Sequence, residues 1–171
     1  IIYDADFFAW LEEHRMDVLA LEPAATAHTI ARSCAVKADV VRQDEREGGL
    51  RRILNFGHTI AHAIEKETHY ERYRHGEAVA IGMAGAADIS VRLGLLAETE
   101  CVRMKELIGT MGLPLSAKGV TADAMYEDLF HDKKTVGGRI HWVLAQAIGR
   151  VTVCSDVPEE IVRQTLLGLS S

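Results

Sequence analysis

The stretch "HGEAVAIGMAGAADISVRL", residues 75–93, sets the tightest limit on the fold. It has helical length and carries Gly76, Ala78, Ala80, Gly82, Ala84, Gly85, Ala86 and Ala87. A glycine inside a helix costs about 1 kcal/mol relative to alanine. Accepting Gly82 and Gly85 in mid-helix therefore predicts that another helix packs close against this one. Composition agrees: 48% of the residues are hydrophobic but only 6% are aromatic, so small side chains must fill much of the interior.

Helical periodicity recurs along most of the chain. It predicts helices over about 4–14, 23–45, 57–68, 76–93, 98–111, 121–131 and 158–167. Pro23 and Pro158 suit helix first turns. The inward face of the second helix is expected to hold Ile30, Cys34, Ala38 and Val41. Gly48–Gly49 ends that helix, and "LRRILN" reads as a short connection. Near the end the period changes. "RIHWVLA" and "GRVTVCSDV" alternate and are rich in β-branched residues, so they read as a hairpin. The expected class is mainly α: a multihelical domain with a small β-hairpin near the C-terminus. There is no GxGxxG and no βαβ series in this chain.

The net charge of −6, with no Lys/Arg-rich run, argues against nucleic acid and anionic membrane as partners. Three widely spaced cysteines, Cys34, Cys101 and Cys154, make no CxxC and fit a reducing cytoplasm. The longest apolar run is too short to span a bilayer, and no signal peptide precedes the first helix. The chain opens at Ile1 directly into "IIYDADFFAWLEEH", which reads as a cut through a longer protein.

The chemistry gathers in "LRRILNFGHTIAHAIE" and the "HGEAV" that follows. Residues four apart share a helix face, so His58 and His62 can point at one place. Histidine is the commonest metal ligand, and a catalytic zinc normally keeps three protein ligands and one open position. HxxxH alone is more often surface or packing. It is not HExxH here, because Thr59 follows His58. His75 can join the pair only if the chain folds back: the helix after His58 is about 15 Å long, and the seven residues 68–74 reach roughly 23 Å when extended. Arg51 and Asn55 stand four apart just before His58, and Lys37 lies on the preceding helix. "HDKKTVGG" puts Lys133 and Lys134 in a Gly-flanked loop before a strand. Arg binds two carboxylate or phosphate oxygens at once. Together these side chains could describe a pocket for a polyhydroxylated anion.

"KADVVRQDEREGGLRRILNFGHTIAHAIE" followed by "HGEAVAIGM" resembles the C-terminal domain of 3-dehydroquinate synthases. The likeness continues through "GLP", "DKK" and "AIG", and so covers essentially the whole chain. Ala61 replaces a glycine common in the family, small for small. The resemblance implies a lyase of the shikimate pathway and of aromatic amino acid biosynthesis, cytoplasmic and homodimeric at full length. Such enzymes use NAD and a divalent metal, zinc or cobalt. They convert 3-deoxy-D-arabino-heptulosonate 7-phosphate to 3-dehydroquinate and phosphate. The implied sequence is transient oxidation of a hydroxyl, phosphate elimination, re-reduction, ring opening and aldol closure.

By the same resemblance His58 and His75 are metal ligands. His62 contacts substrate and serves as a catalytic proton relay. Lys37, Arg51 and Asn55 bind substrate, the last two chiefly its carboxylate. Lys133 or Lys134 contacts phosphate. The third metal ligand, a glutamate, is expected upstream of Ile1. The NAD-binding domain is likewise expected to lie outside this chain, which would then be the C-terminal helical domain, residues 1–171, of a two-domain enzyme. Glu77 is a poor substitute for the missing ligand because it sits beside His75 rather than across the site. Alone, the chain is expected to fold but to be inactive and to bind neither NAD nor metal tightly. The alternatives are a sister sugar-phosphate cyclase of the 2-epi-5-epi-valiolone or 2-deoxy-scyllo-inosose synthase type, a metal-dependent polyol dehydrogenase, or a helical packing module with incidental histidines.

Overall fold

A computed structural model describes residues 1–44, 49–135 and 140–170, with the backbone path alone for 131–135. Among these residues the order is α1 (Ala5–Leu19), α2 (Pro23–Gln43), a 3-10 helix (Leu50–Asn55), α3 (His58–Glu67), α4 (His75–Arg92), α5 (Glu98–Thr110), α6 (Ala122–Thr135), β1 (Trp142–Ala147), β2 (Arg150–Cys154) and α7 (Glu159–Leu169). The expected class, a mainly α domain with a late hairpin, is what the chain forms.

Helix α4 is the axis of the fold. Ten of its residues are buried, including Ile81, Gly82, Gly85 and Ile89, and α3, α5, α7 and β1 all pack on it. A helix buried on every side cannot carry large residues throughout and still let neighbours close in. A Cβ added to Gly82 would stand 2.0 Å from the Gly57 carbonyl oxygen at the head of α3. One added to Gly85 would meet Ile60 at 2.6 Å and Leu169 at 2.8 Å. The close approach expected from the small residues is therefore real, and it is made by α3 and α7.

The hairpin is tied to the same axis. β1 pairs antiparallel with β2, Val143 opposite Val153 and Leu144 opposite Thr152. Trp142, Val143, Leu144 and Ala145 are all buried. Ser90 of α4 donates to the Ala86 carbonyl at 2.7 Å and accepts from the Ala145 amide at 2.9 Å. One hydroxyl thus satisfies a buried donor at the sheet edge.

Three expectations need correcting. The inward face of α2 is not Ile30, Cys34, Ala38 and Val41: Ile30 is 58% exposed and Cys34 is exposed, while Ala25 and Val40 are buried. Apolar and small residues run all round this helix, so periodicity could not choose the face. Second, α1 continues to Leu19 past a non-helical His14, although Met16 and Leu19 are exposed. Third, α6 continues through Thr135, so Lys133 and Lys134 belong to its last turn and not to a loop. The glycines after them lie outside the described residues. Among the described residues no helix is long and apolar enough to cross a membrane.

The cysteines offer a direct check of packing. Cys101 is buried against α4, and desolvation pushes its thiol up to about 11; Cys34 is exposed. At about pH 8 only on the order of one Cys101 in a thousand is thiolate, the reactive form. Alkylation of the native chain should label Cys34 quickly and Cys101 only after denaturation. Equal rates at both would contradict the α4–α5 packing.

Candidate active site

The site is built where the 3-10 helix runs into α3. Gly49 and Arg51 donate their amides to one Asp44 oxygen, at 2.8 and 2.9 Å. That carboxylate pins the start of the 3-10 turn to the end of α2. Ile53 and Phe56 are buried and anchor the turn from beneath. Gly57 then takes φ 83°, a left-handed conformation that glycine accepts without cost. A Cβ there would also strike the backbone of α4 at 2.6–2.8 Å. The turn throws Arg51 and Asn55 to the surface and starts α3 at His58.

Lys37, Arg51, Arg52, Leu54 and Asn55 line one cavity of about 450 Å³. Three basic side chains around one cavity, on a chain of net charge −6, make a locally cationic surface. Lys37, Arg51 and Asn55 were expected here; Arg52 was not. Its neighbour Arg51 drew attention through the spacing to Asn55, and a second adjacent arginine adds no signal of its own.

The three histidines do converge. On α3 the His58 and His62 rings lie 5.9 Å apart, centre to centre. The chain after α3 reverses through His69 (φ 52°) and Tyr70 (φ 59°), both left-handed. It returns His75, at the head of α4, to 5.3 Å from the His58 ring. Two imidazoles bound at about 2.05 Å to one tetrahedral ion would have ring centres about 5.2 Å apart. The His58–His75 spacing fits that.

Their hydrogen bonds fit as well. His58 Nδ1 faces the Phe56 carbonyl at 3.4 Å, and His75 Nδ1 lies 2.8 Å from Glu65 Oε1. Both partners are acceptors, so each Nδ1 is the donor, an arrangement that in a neutral imidazole leaves the lone pair on Nε2. Burial lowers the His58 pKa below the ordinary imidazole value, which favours the neutral, ligating form. Among the described residues no group of three or more His, Cys, Asp or Glu stands together as a ligand set. Glu77 is occupied elsewhere: its carboxylate accepts from the Arg74 amide at 2.8 Å and caps α4. The spacing of His58 and His75 and the partners of their Nδ1 atoms thus fit two imidazoles sharing one divalent ion as part of a larger set.

His62 stands one turn further along α3. With Thr59, Lys66, Asp128 and His141 it lines a second cavity of about 490 Å³, which His58 and His75 do not line. Lys66 makes an ion pair with Asp128 of α6, and His141 Nδ1 lies 2.9 Å from Ser155 Oγ across the hairpin. His62 thus stands between the imidazole pair and a polar cavity. Lys66, Asp128 and His141 were not anticipated from the sequence, because they come from three separate segments. Lys133 and Lys134 lie on the same helix as Asp128, with side chains outside the described residues.

A family profile described as 3-dehydroquinate synthase C-terminal matches residues 1–135. The chain is 48% identical over 166 residues to the 3-dehydroquinate synthase of Acidithiobacillus ferrooxidans, spanning 97% of this chain and 46% of that one. It is 46% identical over 166 residues to the 3-dehydroquinate synthase of Solibacter usitatus, again spanning 97% and 46%. The chain therefore spans about half the length of the curated relatives it matches. Among solved structures it superposes on the 2-epi-5-epi-valiolone synthase ValA of Streptomyces hygroscopicus, with NAD+ and Zn2+ bound. That match has a TM-score of 0.86 and 28% identity over 98% of this chain and 47% of the other. A 2-deoxy-scyllo-inosose synthase complexed with carbaglucose-6-phosphate, NAD+ and Co2+ matches at 0.67 and 26%, over 78% and 38%. With a profile over most of its length and relatives nearly half identical from end to end, the chain belongs to the 3-dehydroquinate synthase C-terminal family.

Proposed function

We propose that this chain is the metal- and substrate-binding half of a 3-dehydroquinate synthase, which takes 3-deoxy-D-arabino-heptulosonate 7-phosphate to 3-dehydroquinate and phosphate in the shikimate pathway. The observation that carries the choice is the cavity lined by Lys37, Arg51, Arg52 and Asn55, on the turn that leads into His58. A carboxylate on the substrate gives that cationic surface a partner. The sister cyclases act on sugar phosphates without this carboxylate and have no use for the Arg51–Asn55 pair. Their likeness to this chain, at 26–28% identity, is also lower than that of the synthases.

In this reading His58 and His75 hold a divalent ion, zinc or cobalt, through Nε2, and a carboxylate from outside the described residues completes the set. When bound, such an ion supplies Lewis-acid polarisation of a hydroxyl or carbonyl and acidifies the adjoining C–H. NAD, whose contacts the family resemblance assigns to the other half of the protein, supplies a reversible hydride acceptor. The chain's own residues bind and orient the substrate. Arg51 forks onto the carboxylate, Asn55 adds a directional hydrogen bond, and Lys37 neutralises charge. His62 moves protons to and from substrate oxygens. Lys133 or Lys134 meets the phosphate. The same reading carries a cytoplasmic location and a homodimeric full-length protein.

The test is Arg51→Ala in the full-length enzyme. Loss of one charged hydrogen-bond partner should lower kcat/KM by about 1.5–3 kcal/mol, roughly ten- to more than a hundredfold. A fall of less than about tenfold, or an enzyme equally active on a substrate lacking the carboxylate, would count against a synthase.

A further inference from the structure

Glu65 has so far entered only as the acceptor beside His75, yet among the described residues it is the one buried acidic residue. Its side chain is 7% exposed, whereas that of His75, which it contacts, is 61% exposed. An exposed histidine needs no buried partner. A buried carboxylate is expensive unless it is hydrogen-bonded, and Ala61, one turn earlier on the same face of α3, is fully buried, so the space there accepts an apolar residue. Packing alone would favour another apolar side chain at 65.

The geometry explains the choice. Glu65 stands two turns beyond His58, on the same face of α3. His75 comes across from α4 and fills the gap between them. Its Nδ1 sits 2.8 Å from Glu65 Oε1, and its ring centre lies 5.3 Å from that of His58. A carboxylate can only accept from Nδ1, so this contact selects the tautomer with its lone pair on Nε2 and fixes the direction of the ring. Without it, an imidazole this exposed at a helix start would sample several rotamers and both tautomers.

We infer that Glu65 is a positioning residue: it orients His75 for the metal and so sets the affinity of the site, without touching metal or substrate. This rests on the reading of His75 as a ligand, and the experiment separates the two. The full-length protein is stripped of metal and titrated with zinc in competition with a chelator, as parent, Glu65→Ala, Glu65→Gln and His75→Ala. Thermal unfolding of each metal-free form is followed in parallel. Glu65→Ala should weaken zinc binding by about 10–100-fold. Glu65→Gln, whose amide oxygen still accepts from Nδ1, should fall between it and the parent, with metal-free stability close to the parent's. Cobalt bound to Glu65→Ala should show a shifted visible absorption spectrum, because the ring is no longer held. If Glu65→Ala does not fold, Glu65→Gln decides by the same criterion. Affinities within about threefold of the parent for the Glu65 variants, with binding lost in His75→Ala, would overturn the role of Glu65 alone. Unchanged binding in His75→Ala would overturn the ligand assignment, and this inference with it.

Discussion

Gly82→Ala should destabilise the chain by about 2–3 kcal/mol, while Gly76→Ala, six residues earlier on the same helix, should leave it unchanged or stabilise it by about 0.4–1 kcal/mol. By helix propensity both changes are favourable, by about 1 kcal/mol in the interior at Gly82 and by less in the first turn at Gly76. Space separates them. A Cβ on Gly76 meets nothing within 4 Å. One on Gly82 would stand 2.0 Å from the Gly57 oxygen, 2.9 Å from the Gly57 carbonyl carbon and 3.2 Å from the Ala61 amide nitrogen. All three are backbone atoms, so no rotamer change relieves the overlap. The head of α3 must move away from α4, and overpacking of that kind outweighs the propensity gain.

In thermal unfolding of a chain this long, the loss corresponds to a fall of roughly 5–10 °C in Tm. Equal Tm values for Gly82→Ala and the parent would mean that the α3–α4 approach is looser than described. The same substitution reaches the site. His58 is the first residue of α3 and His75 the first of α4, so separating the two helices lengthens the 5.3 Å between their rings. Zinc affinity of the full-length protein should fall together with stability.

That coupling shows which parts of the site could be read from sequence. The His58–His62 spacing is a property of any helix, so the pair was visible at once. The small residues of α4 announced a close neighbour because glycine has a known cost in a helix. The return of His75 was only permitted by chain length; what produces it is positive φ at His69 and Tyr70, two residues whose identity gives no turn signal. Glu65 was overlooked although it shares the face of His58. It is followed by Lys66 and Glu67, and such a charged run looks like a solvated face. The inward side of α2 was misassigned for the opposite reason, since small and apolar residues surround that helix. In both cases burial is decided by which neighbour arrives, and a single helix does not encode that. Lys66, Asp128 and His141 meet only after α3, α6 and the hairpin have packed.

His62→Ala in the full-length enzyme should leave bound zinc near the parent's level and lower turnover by roughly 10²–10⁴, or about 2.7–5.5 kcal/mol in the barrier. In the proposed function His58 and His75 are the ligand pair and His62 is not one. His58 and His75 have the spacing of a shared ion, and their Nδ1 atoms are turned to Phe56 and Glu65. The His62 ring stands 5.9 Å from that of His58 and nearly perpendicular to it, at 81°. It borders the cavity that holds the Lys66–Asp128 ion pair and His141. An imidazole beside His58 that also borders a polar cavity has the placement that the proposed relay between hydroxyls requires. Replacing it is expected to remove the relay and leave the ion. Metal content by elemental analysis and turnover at saturating substrate are measured on the same preparation. Loss of metal in His62→Ala would make His62 a ligand and reassign the pair on α3. Full metal with turnover within about tenfold of the parent would remove it from the chemistry.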